Sequence, residues 1–258
     1  MSSPSTQQDQ RLERVVVDGV SKRYGRRPAL SKIEVTLIRG RPCVVMGENG
    51  AGKSTLINML GTALSPDEGT IRYETADGMS LRGIALRSRL GYVSHKPMVY
   101  PELSALENVV FFARIAGVRG ATEAARRFIS RLGLDPDSPQ PASQFSRGMQ
   151  ARLAAARALV TEPELLLLDE AASGLDRDGR RTLLALVKEV APERIVAVAT
   201  HELNTAAELA QQFLQLRRGR VVHDEDLSAL EPDARRDRIR DLLDGTAAKM
   251  VPVPSDDV

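Results

Sequence analysis

Residues 47–55 read GENGAGKST, which fits the spacing G-x-x-x-x-G-K-[S/T]. They lie between a β-branched run at 44–46 and a helical stretch from Lys53 to Leu60. In such a loop the glycines let successive backbone N–H groups turn inward around phosphate oxygens. The candidate contacts are Gly47, Glu48, Asn49, Gly50, Ala51, Gly52, Lys53, Ser54 and Thr55. Lys53 supplies a point charge for the β- and γ-phosphates of a nucleotide, and Ser54 offers its hydroxyl to Mg²⁺. The helix that starts there aims its positive dipole end at the same anion.

Two further groups carry chemistry. LLLLDE at 165–170 opens with an apolar run of the kind that forms a strand covered on both faces. Such a strand delivers Asp169 to its C-terminal end, where ligands gather in open α/β sheets. Asp169 can reach Mg²⁺ through a water, and Glu170 can take a proton from an attacking water. FSRGMQAR at 145–152 places Ser146 as a helix N-cap, and Gly148 allows a close backbone approach. Read alone, the first is a loop with solvated charges and the second an ordinary capped helix. It is the phosphate loop beside them that gives them a role.

The elements that must hold these residues alternate between strand and helix. Short β-branched runs at 15–17, 33–37, 44–46, 69–73 and 90–93 read as strands. From about 104 the period becomes helical: Ser104 and Glu107 form a capping box ahead of one helix. A second helix over 121–132 stops at Gly133. A Pro-rich loop at 135–144 leads to a helix from about Ser146 to Val160. Strands at 165–168 and 195–200, helices at 177–190 and 203–211, and a hairpin of 213–216 with 220–223 complete an α/β sheet with a helical subdomain. Residues 227–246 can form a helix, with Leu227 and Leu230 on one face and Ile239, Leu242 and Leu243 on another. Its mixed charge reads as a solvated helix.

Composition narrows the classes. The chain has 258 residues, 42% hydrophobic and 27% charged, which excludes wholesale disorder and fits one large domain with a subdomain. Cys43 is the only cysteine, so neither an intrachain disulfide nor a cysteine-based zinc cluster can form. Aromatics are 3% with no Trp, and the net charge is +2, so no nucleic-acid partner is expected. No apolar run approaches the roughly 20 residues of a membrane helix. The opening MSSPSTQQDQ lacks the pattern of a signal peptide.

GENGAGKST, FSRGMQAR, LLLLDE, SGLD at 173–176 and Thr200–His201 occur in the order found in the ATP-binding cassette ATPases. The chain resembles that family over about residues 12–223. The resemblance implies a P-loop NTPase fold, with a RecA-like core, an antiparallel β subdomain and an α-helical subdomain. It implies a nucleotide-binding domain at 11–223 with its helical subdomain at about 97–161; outside it, the residues themselves read as a flexible tail at 1–10 and a C-terminal helix and disordered tail at 224–258. ATP and Mg²⁺ are the implied cofactors. The implied partners are an integral membrane permease and a second copy stacked head to tail. Such a subunit is peripheral, on the cytoplasmic side of the cell membrane. In the stacked pair Ser146 and Gly148 touch the γ-phosphate held by the other copy, and Asp176 lies at the contact. His201 is the switch histidine beside Glu170, and Tyr24 is the aromatic that stacks on adenine.

The chain departs from the family pattern at several positions. Phe145, Arg147 and Met149 replace the usual Leu, Gly and Gln of the signature, and Ala171 replaces a Pro. His95 stands where the Q-loop glutamine is expected. There it joins the implied catalytic set, and an imidazole titrating near about pH 6.5 would make coupling pH-sensitive. His95, the Pro after it, the run SALENVVFFA at 104–113 and FSRGMQARLAAARAL are similar to the ATP-binding subunit of the haem exporter of cytochrome c maturation. Drug- and polysaccharide-type exporter cassettes share the YPELSALEN region. A soluble ATPase of DNA repair or translation, or a regulatory nucleotide-binding protein without turnover, are the readings from other classes.

Overall fold

The structure is a computed structural model that describes residues 10–94 and 96–248. Residues 1–9 of the expected N-terminal tail, His95, and the expected disordered end from 249 onward lie outside the described residues.

The chain opens with β1 (Leu12–Tyr24), β2 (Arg27–Ile38) and β3 (Cys43–Met46), followed by α1 (Lys53–Leu60), β4 (Glu68–Thr75), α2 (Gly83–Arg87) and β5 (Leu90–Ser94). Three helices follow: α3 (Ala105–Ile115), α4 (Ala121–Arg131) and α5 (Arg147–Leu159). Then come β6 (Leu165–Asp169), α6 (Arg177–Val190), β7 (Ile195–Ala199), α7 (Leu203–Leu209), β8 (Gln212–Arg217), β9 (Arg220–Asp226) and α8 (Pro232–Ala248).

The strands form two sheets. One is antiparallel in the order β2-β1-β4, and the other runs β5-β6-β7-β3-β8-β9, parallel except for β9. The period of two along β6 explains the layers. Leu165 and Leu167 join a core with Leu56 and Ile57 of α1 and the apolar face of the antiparallel sheet. Leu166 and Leu168 point the other way, into a second core with the helices. Both faces of the central strands are therefore dry, which is why β3, β6 and β7 carry almost no polar residue before Asp169.

Helix limits follow local chemistry. Ser104 accepts from the Glu107 amide while Glu107 accepts from the Ser104 amide, so the capping box closes α3. α4 ends just before Gly133, whose φ of 68° suits a glycine. In the middle of α3, the buried Asn108 accepts from the Tyr100 amide at 2.7 Å and donates to the carbonyl oxygens of Tyr100 and Leu103. The segment 100–104 is thereby pinned to the helical layer.

Three expectations change. The strands at 15–17 and 33–37 extend into the long hairpin β1–β2, because pairing carries polar residues that a hydrophobicity pattern discards. The helix expected to reach residue 211 stops at Leu209, since Gln212 starts β8 beside β3. The C-terminal helix is not a solvated rod. It lies against α7, and Leu227, Ile239 and Leu242 sit in the helical-side core at 2%, 0% and 6% exposure. Truncating Ile239 to Ala should therefore cost about 2 kcal/mol or more, while Arg240→Ala on the exposed face should cost within about 0.5 kcal/mol, both read from urea unfolding midpoints.

Candidate functional site

The loop between β3 and α1 lies at the C-terminal edge of the main sheet. Glycines shape it for steric reasons. A Cβ at Gly52, whose φ is 109°, would lie 2.6 Å from Leu30 Cδ2 and 2.7 Å from the Ala29 carbonyl oxygen. A Cβ at Gly47 would fall on the carbonyl oxygen of Leu216. Helix α1 starts at Gly52 with no side-chain cap, whereas Ser104, Ser146 and Asp176 cap α3, α5 and α6. Its first backbone bond runs from the Leu56 amide to the Gly52 carbonyl, so the amides of Lys53, Ser54 and Thr55 have no partner inside the helix. These are the donors an anion would take.

Lys53 is 7% exposed, and its ammonium donates to the carbonyl oxygens of Gly47 at 2.8 Å and Glu48 at 3.2 Å. Glu170 Oε1 stands 4.0 Å away. Ser54 Oγ donates to Asp169 Oδ1 at 2.9 Å, and Asp169 is 2% exposed. A buried carboxylate beside a hydroxyl is a hard-oxygen pair. It fits Mg²⁺, which takes one or two protein oxygens and completes its shell with water and phosphate. Tyr92 lies behind this pair, its hydroxyl donating to Asn58 Oδ1 at 3.0 Å. Burial, with Asp169 adding to it, pushes the Tyr92 phenol up to about 12.

Glu170 follows β6 with φ 53°, and its amide donates to the Ala199 carbonyl oxygen at 3.0 Å. Its Oε2 lies 2.9 Å from His201 Nδ1. The Thr200 amide in turn donates to the Val45 carbonyl oxygen at 3.1 Å, tying the histidine turn to the end of β3. A cavity of about 400 Å³ opens above the loop, lined among others by Tyr24, Asn49, Lys53, Ser54, Thr55 and Glu170.

The structure thus brings most of the sequence-predicted residues around one cavity. Gly47, Glu48 and Ala51 form the back of the loop, with Ala51 buried. Tyr24 is 53% exposed at the rim. Ser146 and Gly148 do not line this cavity, and the Ser146 hydroxyl caps α5 by accepting from the Met149 amide at 3.2 Å. Asp176 likewise caps α6 through the Gly179 amide. Sequence reasoning missed Arg27, Pro28 and Ala29 in the cavity wall. They sit opposite the loop because β2 folds back from Tyr24, a pairing that only the hairpin register reveals.

Residues 30–173, more than half of the chain, match the ABC transporter family. The chain belongs to that family. It is 34% identical, over 89% of its length and 73% of the relative, to a daunorubicin resistance ATP-binding protein of Streptomyces coeruleorubidus. It is 30% identical to the glutamine transport ATP-binding protein of Escherichia coli (strain K12), over 87% and 96% of the two chains. Among solved structures, a dimeric ATP-binding cassette in a post-hydrolysis state with ADP and Pi is similar at 26% identity. Its TM-score is 0.74, over 83% of this chain and 98% of that one. An ATP-binding subunit of an ABC transporter reaches TM-score 0.76 at 28% identity, over 91% and 99%. The P-loop NTPase fold of the cassette follows, and with it an ATP-hydrolysing subunit of the ABC type.

For an ABC cassette the loop glycines are structural as well as chemical. Gly47→Ala and Gly52→Ala should each lower stability by more than about 2 kcal/mol. Gly50→Ala, which meets only Arg27 Nη2 at 3.7 Å, should cost less, as thermal unfolding of the three variants would show.

Proposed function

We propose that this chain is the motor subunit of a membrane transporter, in which two copies close head to tail on two ATP molecules and drive an integral permease. The observation that carries this reading is the convergence of Lys53, the Ser54–Asp169 pair and the Glu170–His201 pair at one edge of the sheet. Lys53 and the free amides of α1 hold the phosphates. Mg²⁺ held by Ser54, with Asp169 reaching it through water, would neutralise charge building on the β- and γ-oxygens. Glu170 would take the proton of the attacking water, a reading supported by the 2.9 Å contact that holds its carboxylate against His201 Nδ1. Ser146 and Gly148, away from their own cavity, are available to the γ-phosphate of the second copy. That bridging is why binding closes the pair and hydrolysis releases it.

A permease partner accounts for a surface feature. Tyr100, Phe111 and Ile115 are 45%, 40% and 70% exposed, and Tyr100 meets Phe111 edge-on at 5.1 Å. An apolar group of this kind on the helical layer suits a cytoplasmic segment of a membrane protein. Among the described residues no helix is long and apolar enough to cross a membrane, so a peripheral place on the cytoplasmic face would depend on that contact.

The cargo follows from the permease. The haem-exporter reading rests on His95 and the run at 104–113. The relative named for daunorubicin resistance supports instead a drug-type cassette, the reading we favour. Detergent co-purification of the tagged chain from its own cell decides between them by the identity of the membrane protein recovered. Recovery of a lone soluble dimer would favour the repair or translation class. Phe111→Asp should reduce that recovery several-fold while leaving ATPase activity of the isolated subunit intact. Glu170→Gln should still bind ATP and sediment as a dimer with it, with phosphate release slowed about 100-fold or more. Ordinary turnover in that variant removes Glu170 as the base, and a monomer at saturating ATP removes the paired mechanism.

A further inference from the structure

We propose that Arg27 is a ligand of the nucleotide's phosphate chain, a second cation facing Lys53 across the cavity. The inference rests on the ATP-binding function given above and adds a residue to that site. Arg27 is the cross-strand partner of Tyr24 in the β1–β2 hairpin, whose two-residue loop is Gly25–Arg26, with Gly25 at φ 59°. Directly paired residues of an antiparallel ladder project to the same side, about 5 Å apart. Both side chains accordingly line the cavity above the phosphate loop.

Among the described residues the side chains of Arg26 and Arg27 both lack a partner, and of the two Arg27 is the one that lines the cavity. Arg23 donates to the Arg26 carbonyl oxygen at 3.0 Å, and its amide donates to Asp67. The Arg27 guanidinium has no ion pair or hydrogen bond among the described residues, and its Nη2 lies 3.7 Å from the Cβ position of Gly50. An always-charged, planar fork is thus set beside the glycine turn. Lys53 and the uncapped start of α1 bring positive potential to the same space, with Glu170 as the nearby counter-charge. Three convergent positive features favour a multiply charged anion between them. Gly50 at its tip places that fork over the phosphates rather than the base, which leaves the ring to Tyr24.

The test is calorimetric titration of the full chain and of Arg27→Ala and Arg27→Lys with MgATP and with adenosine. Arg27→Ala should weaken ATP binding about tenfold, the scale of one lost charged hydrogen bond, with adenosine affinity and thermal midpoint unchanged. Arg27→Lys should recover part of the loss. An ATP affinity within twofold of wild type in Arg27→Ala, or an equal loss for adenosine, overturns the assignment to the phosphates. Failure of the wild-type chain itself to bind ATP would instead overturn the function on which the inference rests.

Discussion

A buried ammonium held by carbonyl oxygens is the interaction on which this structure turns. Lys53 is almost wholly out of water, yet its hydrogen-bond partners are the backbone oxygens of Gly47 and Glu48. Neutral acceptors offset part of the cost of burying a charge, and the remainder favours any anion that enters. The loop can grip its own lysine because the backbone at Gly47 and Gly52 runs where no side chain would fit. Leu30, Ala29 and Leu216 press on those glycines from β2 and β8, so both sheets hold the cradle.

The rest of the site follows from strand order. β3 lies between β7 and β8, and β6 lies beyond β7. The register pairs Asp169 with Ala199, so the residues that follow, Glu170 and Thr200–His201, leave the sheet side by side. Hydrogen bonds donated by the Glu170 amide to the Ala199 carbonyl oxygen and by the Thr200 amide to the Val45 carbonyl oxygen stitch three strand ends together just before the loop. As a result the Glu170 carboxylate meets the Lys53 ammonium, from far back along the chain, at 4.0 Å and the His201 imidazole at 2.9 Å.

The signature helix behaves differently. The Ser146 hydroxyl caps α5, and Ser146 does not line the cavity of its own chain. Its place off that cavity is what the proposed paired arrangement would use. The long C-terminal helix, meanwhile, closes one end of the helical-side core through Ile239 and Leu242.

Local chemistry settled much of this before any fold was seen. The spacing of Gly52, Lys53 and Ser54, the capping box at Ser104, the Ser146 cap and the all-apolar β6 depend on neighbours within a few residues, and the helices they start lie where the sequence puts them. Contacts between distant segments had no such signal. The facing of Arg27 toward the loop, the hydrogen bond of Tyr92 to Asn58 and the docking of Ile239 depend on hairpin register, sheet order and helix packing. Those are decided by which surfaces bury each other, a property of the folded chain that no short window of residues contains.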